Sequence, residues 1–141
     1  MTSELSLDAL ALAAKTLGHP ARLRILAMLR HNRLSVCQIA SVLALPPSTV
    51  SGYLLELRRA GLVDEQRQGK WVFYRLEAPD PLDIVVRLML CMLSGDPQII
   101  QDDRVARTLH GTSPAKSCGE LQAPAADAPE SPLRRARGSH R

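Results

Sequence analysis

Ser35-Val-Cys-Gln-Ile-Ala-Ser-Val-Leu-Ala-Leu-Pro-Pro-Ser-Thr-Val-Ser-Gly-Tyr-Leu-Leu-Glu-Leu-Arg-Arg59 is the stretch on which the fold turns. Val36, Ile39, Ala40 and Leu43 recur at helical spacing behind Ser35, a good N-cap. Ala44 to Pro46 then interrupts the pattern, and Pro47 fits the first turn of a second helix, where its missing N–H costs nothing. In that helix Val50, Leu54 and Leu57 point inward, while Ser48, Thr49, Ser51, Gly52 and Tyr53 largely face elsewhere. Arg58 and Arg59 fall in its last turn, where the helix dipole favours cations.

Outward on the C-terminal side, Leu62 to Gln66 and Trp71 to Leu76 are β-prone runs around Arg67-Gln-Gly-Lys70, the pattern of a hairpin. On the N-terminal side, apolar residues from Leu7 to Leu17 predict a helix ending at Gly18-His19-Pro20, and Pro20 to Arg30 a second. Leu23, Leu26 and Leu29 are expected inward there, with Arg22, Arg24 and Arg30 on the other face. After the hairpin Pro81 opens a fifth helix with two apolar stripes, one of Leu82, Val85, Val86, Met89 and Leu93, the other of Ile84, Leu88 and Cys91. A helix apolar on two faces is buried on both, one against its own domain and one against a partner subunit. Asp96-Pro97 caps a weaker helix to about Leu109. The fold class is therefore mainly α with a small β-hairpin wing, a winged helix-turn-helix. Residues 1–95 form the DNA-binding and dimerisation domain, 96–110 an additional C-terminal helix, and 111–141 a disordered tail rich in Pro, Ala, Ser and Gly.

Composition agrees with a nucleic-acid partner. The 141 residues carry a net charge of +4, with only 3% aromatics. Between Arg22 and Arg75 nine Lys or Arg face three Asp or Glu, a local +6. Such a basic segment fits a polyanion, the alternative being an ordinary solvated surface. Ser48, Thr49, Ser51 and Tyr53 suit base edges in a major groove, and Arg67 and Lys70 suit phosphates. The alternative is an α+β domain with an exposed Ser/Thr helix. Arg134-Arg-Ala-Arg137 in the tail could also touch phosphates. No Gly-rich phosphate loop, His-Glu-x-x-His or carboxylate pair is present, so an enzyme is not expected. Met1 to Asp8 has no basic n-region and the longest apolar stretch is too short to span a bilayer. A soluble cytoplasmic protein, with no membrane partner, is the expectation.

Lys15-Thr-Leu-Gly-His-Pro-Ala-Arg-Leu-Arg-Ile-Leu26, the helix from Pro47 to Arg58, and Gly61-Leu-Val63 through Gln68-Gly-Lys-Trp-Val-Phe-Tyr-Arg-Leu76 resemble the arsenic-repressor (ArsR/SmtB-type) family over roughly residues 5 to 95. The resemblance implies a homodimer joined through its first and fifth helices. It also implies an operator in double-stranded DNA with two half-sites, and release on inducer binding. The chain departs from the family pattern at Pro46-Pro47 and Gly52-Tyr53, which affects operator choice. Pro47, Ser48, Thr49, Ser51, Gly52, Tyr53, Arg67 and Lys70 are the expected DNA-binding residues.

Repressors of the founding type carry Cys-Val-Cys at the start of the third helix. Here that segment is Ser35-Val36-Cys37, so the founding site is incomplete. Cys91 and Cys118 are the other thiols, and soft ions select thiolates. The expected inducer is trivalent arsenic or antimony held by Cys37, Cys91 and Cys118, with no cofactor needed for DNA binding. The rival is a redox or reactive-sulfur switch on two thiols, such as Cys37 and Cys91. Taken singly, Cys37 and Cys91 also read as packing residues. The histidines His19, His31, His110 and His140 are scattered and make no zinc site with the fifth helix.

Overall fold

Local signals along the chain set the helices in a computed structural model that describes residues 4–115. Helix α1 (Leu7–Leu17) starts at Ser6, whose hydroxyl accepts from the Ala9 N–H at 3.1 Å. Helix α2 (Pro20–Leu29) starts at His19, whose Nδ1 accepts from the Ala21 N–H at 3.1 Å. Helix α3 (Val36–Leu43) carries a complete capping box. Its Ser35 hydroxyl accepts from the Gln38 N–H, and Gln38 Oε1 accepts from the Ser35 N–H at 2.9 Å. The chain leaves α3 through Ala44 at φ +54°, a left-handed conformation that few non-glycine residues adopt. Helix α4 (Pro47–Arg59) follows at once.

Strand β1 (Leu34–Ser35), β2 (Val63–Gln68) and β3 (Trp71–Leu76) form an antiparallel sheet in the order β1-β3-β2. Gln68 pairs with Trp71, so the hairpin turns through Gly69-Lys70 alone, with Gly69 at φ +61°. The pairing of Leu34 with Tyr74 and Ser35 with Phe73 ties the base of the hairpin to the start of α3. Two residues are too short to register as a periodic pattern, so β1 is legible only once β3 lies beside it.

Helices α5 (Leu82–Met92) and α6 (Pro97–Leu109) follow among the described residues, α6 capped by Asp96 as its sequence predicts. The core is aliphatic: Ile25, Leu26, Met28, Leu34, Ile39, Leu54, Leu57 and Leu62 are among its fully buried side chains. Helix α2 runs through the middle of it, with Ile25 to Leu29 all buried, which a one-faced reading of α2 does not anticipate.

Helix α6 packs on α2 and α3, held by a pair that spacing does not reveal. Arg24 donates from Nε and Nη2 to the two Asp102 oxygens at 2.7 and 2.9 Å, and the Asp102 side chain is only 3% exposed. The Asp102 hydrogen bond raises the Arg24 pKa, and the bidentate geometry is the strong form of such a contact. Gln38 adds a second tie, its Nε2 donating to the Leu109 carbonyl at 3.0 Å. Arg24 thus braces the fold instead of joining an exposed basic face.

On α5, Leu82, Val86 and Leu90 are buried while Ile84, Val85, Leu88 and Met92 are exposed. Val85 therefore leaves the inward stripe its spacing assigned it. The exposed set lies with Leu7, Leu10 and Leu12 of α1 among the exposed large apolar residues of the fold.

Candidate nucleic-acid interface

Helix α4 separates cleanly into two sides. Val50, Leu54 and Leu57, at i, i+4 and i+7, are buried against the core. Ser48, Thr49, Ser51 and Gly52 are exposed near the helix start, and Pro47 is half-buried. A Cβ added at Gly52 meets nothing within 4 Å, so packing does not demand a glycine there. Tyr53 is half-buried: its ring lies 5.0 Å from that of His19, and the Arg22 guanidinium sits 5.9 Å from it. The junction of α1 and α2 thereby sets the direction of the phenol.

The hairpin presents Arg67, Gln68, Gly69 and Lys70 to solvent at its tip. Lys70 Nζ stands 5.1 Å over the Trp71 ring. Neither Arg67 nor Lys70 has an ion-pair partner among the described residues. The other cations near α4 and the hairpin are engaged. Arg58 meets Glu65 at 2.6 Å, Arg59 meets Glu56 at 3.3 Å, and Arg75 meets Glu77 at 2.7 Å. Burial, then the neighbouring Glu65 carboxylate, push the Tyr74 phenol above its ordinary pKa. Two of the cations of the basic segment that have no carboxylate partner among the described residues thus stand together at the wing tip.

Arg33 belongs to this region and its sequence neighbours do not announce it. Its guanidinium stacks 4.5 Å from the Phe73 ring and donates to Gln68 Oε1 at 2.9 Å. It stiffens the wing from the side by a cation–π contact. The only sign in the sequence is that Arg33 precedes β1, a strand too short to be foreseen.

The cysteines are placed apart in the chain, and Cys37 is disulfide-bonded. Cys37, the second residue of α3, is half-buried and engaged, while Cys91 in the last turn of α5 is exposed and free. Cys118 and the Arg134–Arg137 run lie outside the described residues. No group of three His, Cys, Asp or Glu side chains is placed to hold a metal ion among the described residues. No described helix is long and apolar enough to cross a membrane.

A family model described as "Bacterial regulatory protein, arsR family" matches residues 19–65, from the start of α2 into β2. A helix-turn-helix-type transcriptional regulator of Mycobacterium tuberculosis is 38% identical over 92 residues, covering 63% of this chain and 81% of the relative. The arsenic resistance transcriptional regulator ArsR1 of Pseudomonas putida is 36% identical over 76 residues, covering 52% of this chain and 59% of the relative. Across the curated relatives named here the chain thus spans between about three-fifths and four-fifths of their length. The homodimeric winged helix-turn-helix domain of Mb0332 from Mycobacterium bovis superposes with a TM-score of 0.56 at 26% identity, covering 69% of this chain and 94% of that one. With its helix-turn-helix in α3 and α4 and its wing in β2 and β3, the chain belongs to the ArsR family of bacterial regulatory proteins.

Proposed function

We propose that this chain is a homodimeric transcriptional repressor that binds an operator in double-stranded DNA and leaves it when an inducer engages its cysteine thiols. The observation that carries the reading is the pairing of an exposed Ser/Thr helix start with a wing tip whose cations have no ion-pair partner among the described residues. Ser48, Thr49 and Ser51 offer hydroxyls to base edges, and Pro47 and Gly52 let the backbone approach closely. Tyr53, held by His19, sets one edge of the contact. Arg67 and Lys70 supply phosphate contacts, which give affinity without sequence choice. Dimerisation through the exposed apolar residues of α1 and α5 sets two α4 helices about one DNA turn apart, roughly 34–36 Å.

The inducer in this reading is trivalent arsenic or antimony, bound by Cys37, Cys91 and Cys118. Thiolates suit a soft ion, and Cys37 sits one short helix before α4, so tension at its sulfur has a direct path to the DNA face. An allosteric coupling of about 1–3 kcal/mol weakens operator binding about 5- to 150-fold. DNA binding itself takes no cofactor.

A second reading rests on the free, exposed Cys91 thiol, which a peroxide or persulfide can reach. Starting from the fully reduced protein, in which the Cys37 disulfide is opened, two-electron oxidation of Cys91 with Cys37 would join the two sulfurs, with both protons and both electrons passing to the oxidant. A gel-shift with DNA from upstream of the protein's own gene distinguishes the two. Arsenite and antimonite should release the reduced protein, and Cys118→Ser should abolish that response; a two-sulfur switch keeps its response in Cys118→Ser. Thiols saturated by arsenite with operator affinity unchanged would sink the arsenic reading.

A further inference from the structure

Leu55 is 46% exposed in the middle of α4. The other exposed large apolar side chains among the described residues lie on α1, α5 and α6. A single surface leucine means nothing by itself, but the place of this one does. Val50, Leu54 and Leu57 mark the buried side of α4. The line directly opposite runs through Ser48, Gly52, Leu55 and Arg59, all exposed. Arg59, at its far end, is paired with Glu56 at 3.3 Å.

A helix lying in a major groove reads base edges from one stripe of its surface, with side chains at i, i+3, i+4 and i+7. On α4 that spacing is Ser48, Ser51, Gly52 and Leu55. The two hydroxyls can donate and accept. Gly52 offers no side chain, and a Cβ added there meets nothing within 4 Å, so a gap lies one turn before Leu55. Leu55 itself can neither donate nor accept a hydrogen bond. Set against a carbonyl or amino edge, it would leave that edge unsatisfied. Of the groups that base pairs present in the major groove, the C5-methyl of thymine is the apolar one.

We propose that Leu55 is a specificity-determining residue that packs on a thymine C5-methyl at one fixed position of each operator half-site, with Gly52 leaving room for the approach. The proposal rests on the reading of α4 as the helix that enters the duplex, and is independent of the thiol chemistry. It divides the stripe by task. Ser48 and Ser51 read polar edges near the helix start, and Leu55, further along, distinguishes thymine from cytosine. Burying one methyl is worth about a fourfold preference per half-site. A phosphate contact such as that of Arg67 carries no preference of this kind.

The test is fluorescence anisotropy of the reduced full chain on an operator selected from a pool of random duplexes. Each thymine is replaced in turn by deoxyuridine, in both half-sites together, which removes the methyl and leaves every hydrogen-bonding edge in place. At one position the unsubstituted chain should lose about fourfold in affinity per half-site. Leu55→Ala changes an exposed residue to another good helix former, so the fold is kept. It should bind the thymine and uracil operators alike, as weakly as the unsubstituted chain binds the uracil one. Ser48→Ala should keep the preference for thymine. Uracil tolerated at every thymine overturns the proposal. So does a uracil cost that persists in Leu55→Ala, which would assign the methyl to another residue. Failure of the unsubstituted chain to bind any duplex sinks the reading of α4 itself, and this inference with it.

Discussion

The α4–wing face and the α1–α5 face both put helix surface into water, with opposite chemistry. On α4 the exposed side chains near the helix start are hydroxyls and a bare glycine. On α1 and α5 they are Leu7, Ile84, Leu88 and Met92, exposed by 82%, 65%, 62% and 78%. A hydroxyl or a wing cation is well solvated and waits for a polyanion at little cost. A contiguous apolar patch is not, and its stable state is against another protein surface. The contrast teaches that exposure alone does not name a partner; the polarity of what is exposed does.

The sharpest way to break the comparison is Leu88→Glu. It adds a charge to the apolar face and leaves α4 untouched. If two linked α4 helices are needed, operator affinity should fall by roughly 100-fold or more, with a monomer seen by light scattering. A dimer that binds operator normally would dissolve the distinction between the faces.

Asp102→Asn touches neither face and acts as a control. It removes one charge of a buried bidentate pair whose partner Arg24 is about a quarter exposed, so the loss should sit below the full cost for a buried pair. Unfolding in urea should show about 2 kcal/mol less stability, with the balance between dimerisation and DNA binding unchanged once the protein is folded.

Arg67→Gln with Lys70→Gln tests the polar face alone. Affinity should drop about tenfold on any DNA sequence, and the slope of log K against log salt should shrink by about two. Dimerisation should be unaffected. An unchanged salt slope would remove the wing from the contact.

Gly52→Ala gives the smallest effect and the finest one. The added methyl meets open space, so the helix should gain up to about 1 kcal/mol of stability. If DNA backbone or base edges approach Gly52 closely, operator affinity should nevertheless fall. Gain in both would place the DNA contact elsewhere on α4.

Much of this architecture is written in short-range signals. Ser35 with Gln38, Pro47 after a tight turn, Gly69 in the hairpin and Asp96-Pro97 each act through backbone hydrogen bonds within a few residues, and all stand where their local chemistry puts them. The Ser/Thr side of α4 follows from the period of Val50, Leu54 and Leu57, so it too was legible.

What the linear order could not decide is which distant groups meet. Arg24 and Asp102 are 78 positions apart, Gln38 and Leu109 are 71, and neither pair has a period or a motif to mark it. Arg22, Arg24 and Arg33 look alike in a basic stretch, yet one stands over Tyr53, one is bonded to α6 and one stacks on Phe73. Local hydrogen bonding determines helices and turns because its partners are fixed by spacing along the chain. The fate of a charge depends on the dielectric and the counter-charge around it, and only packing supplies both.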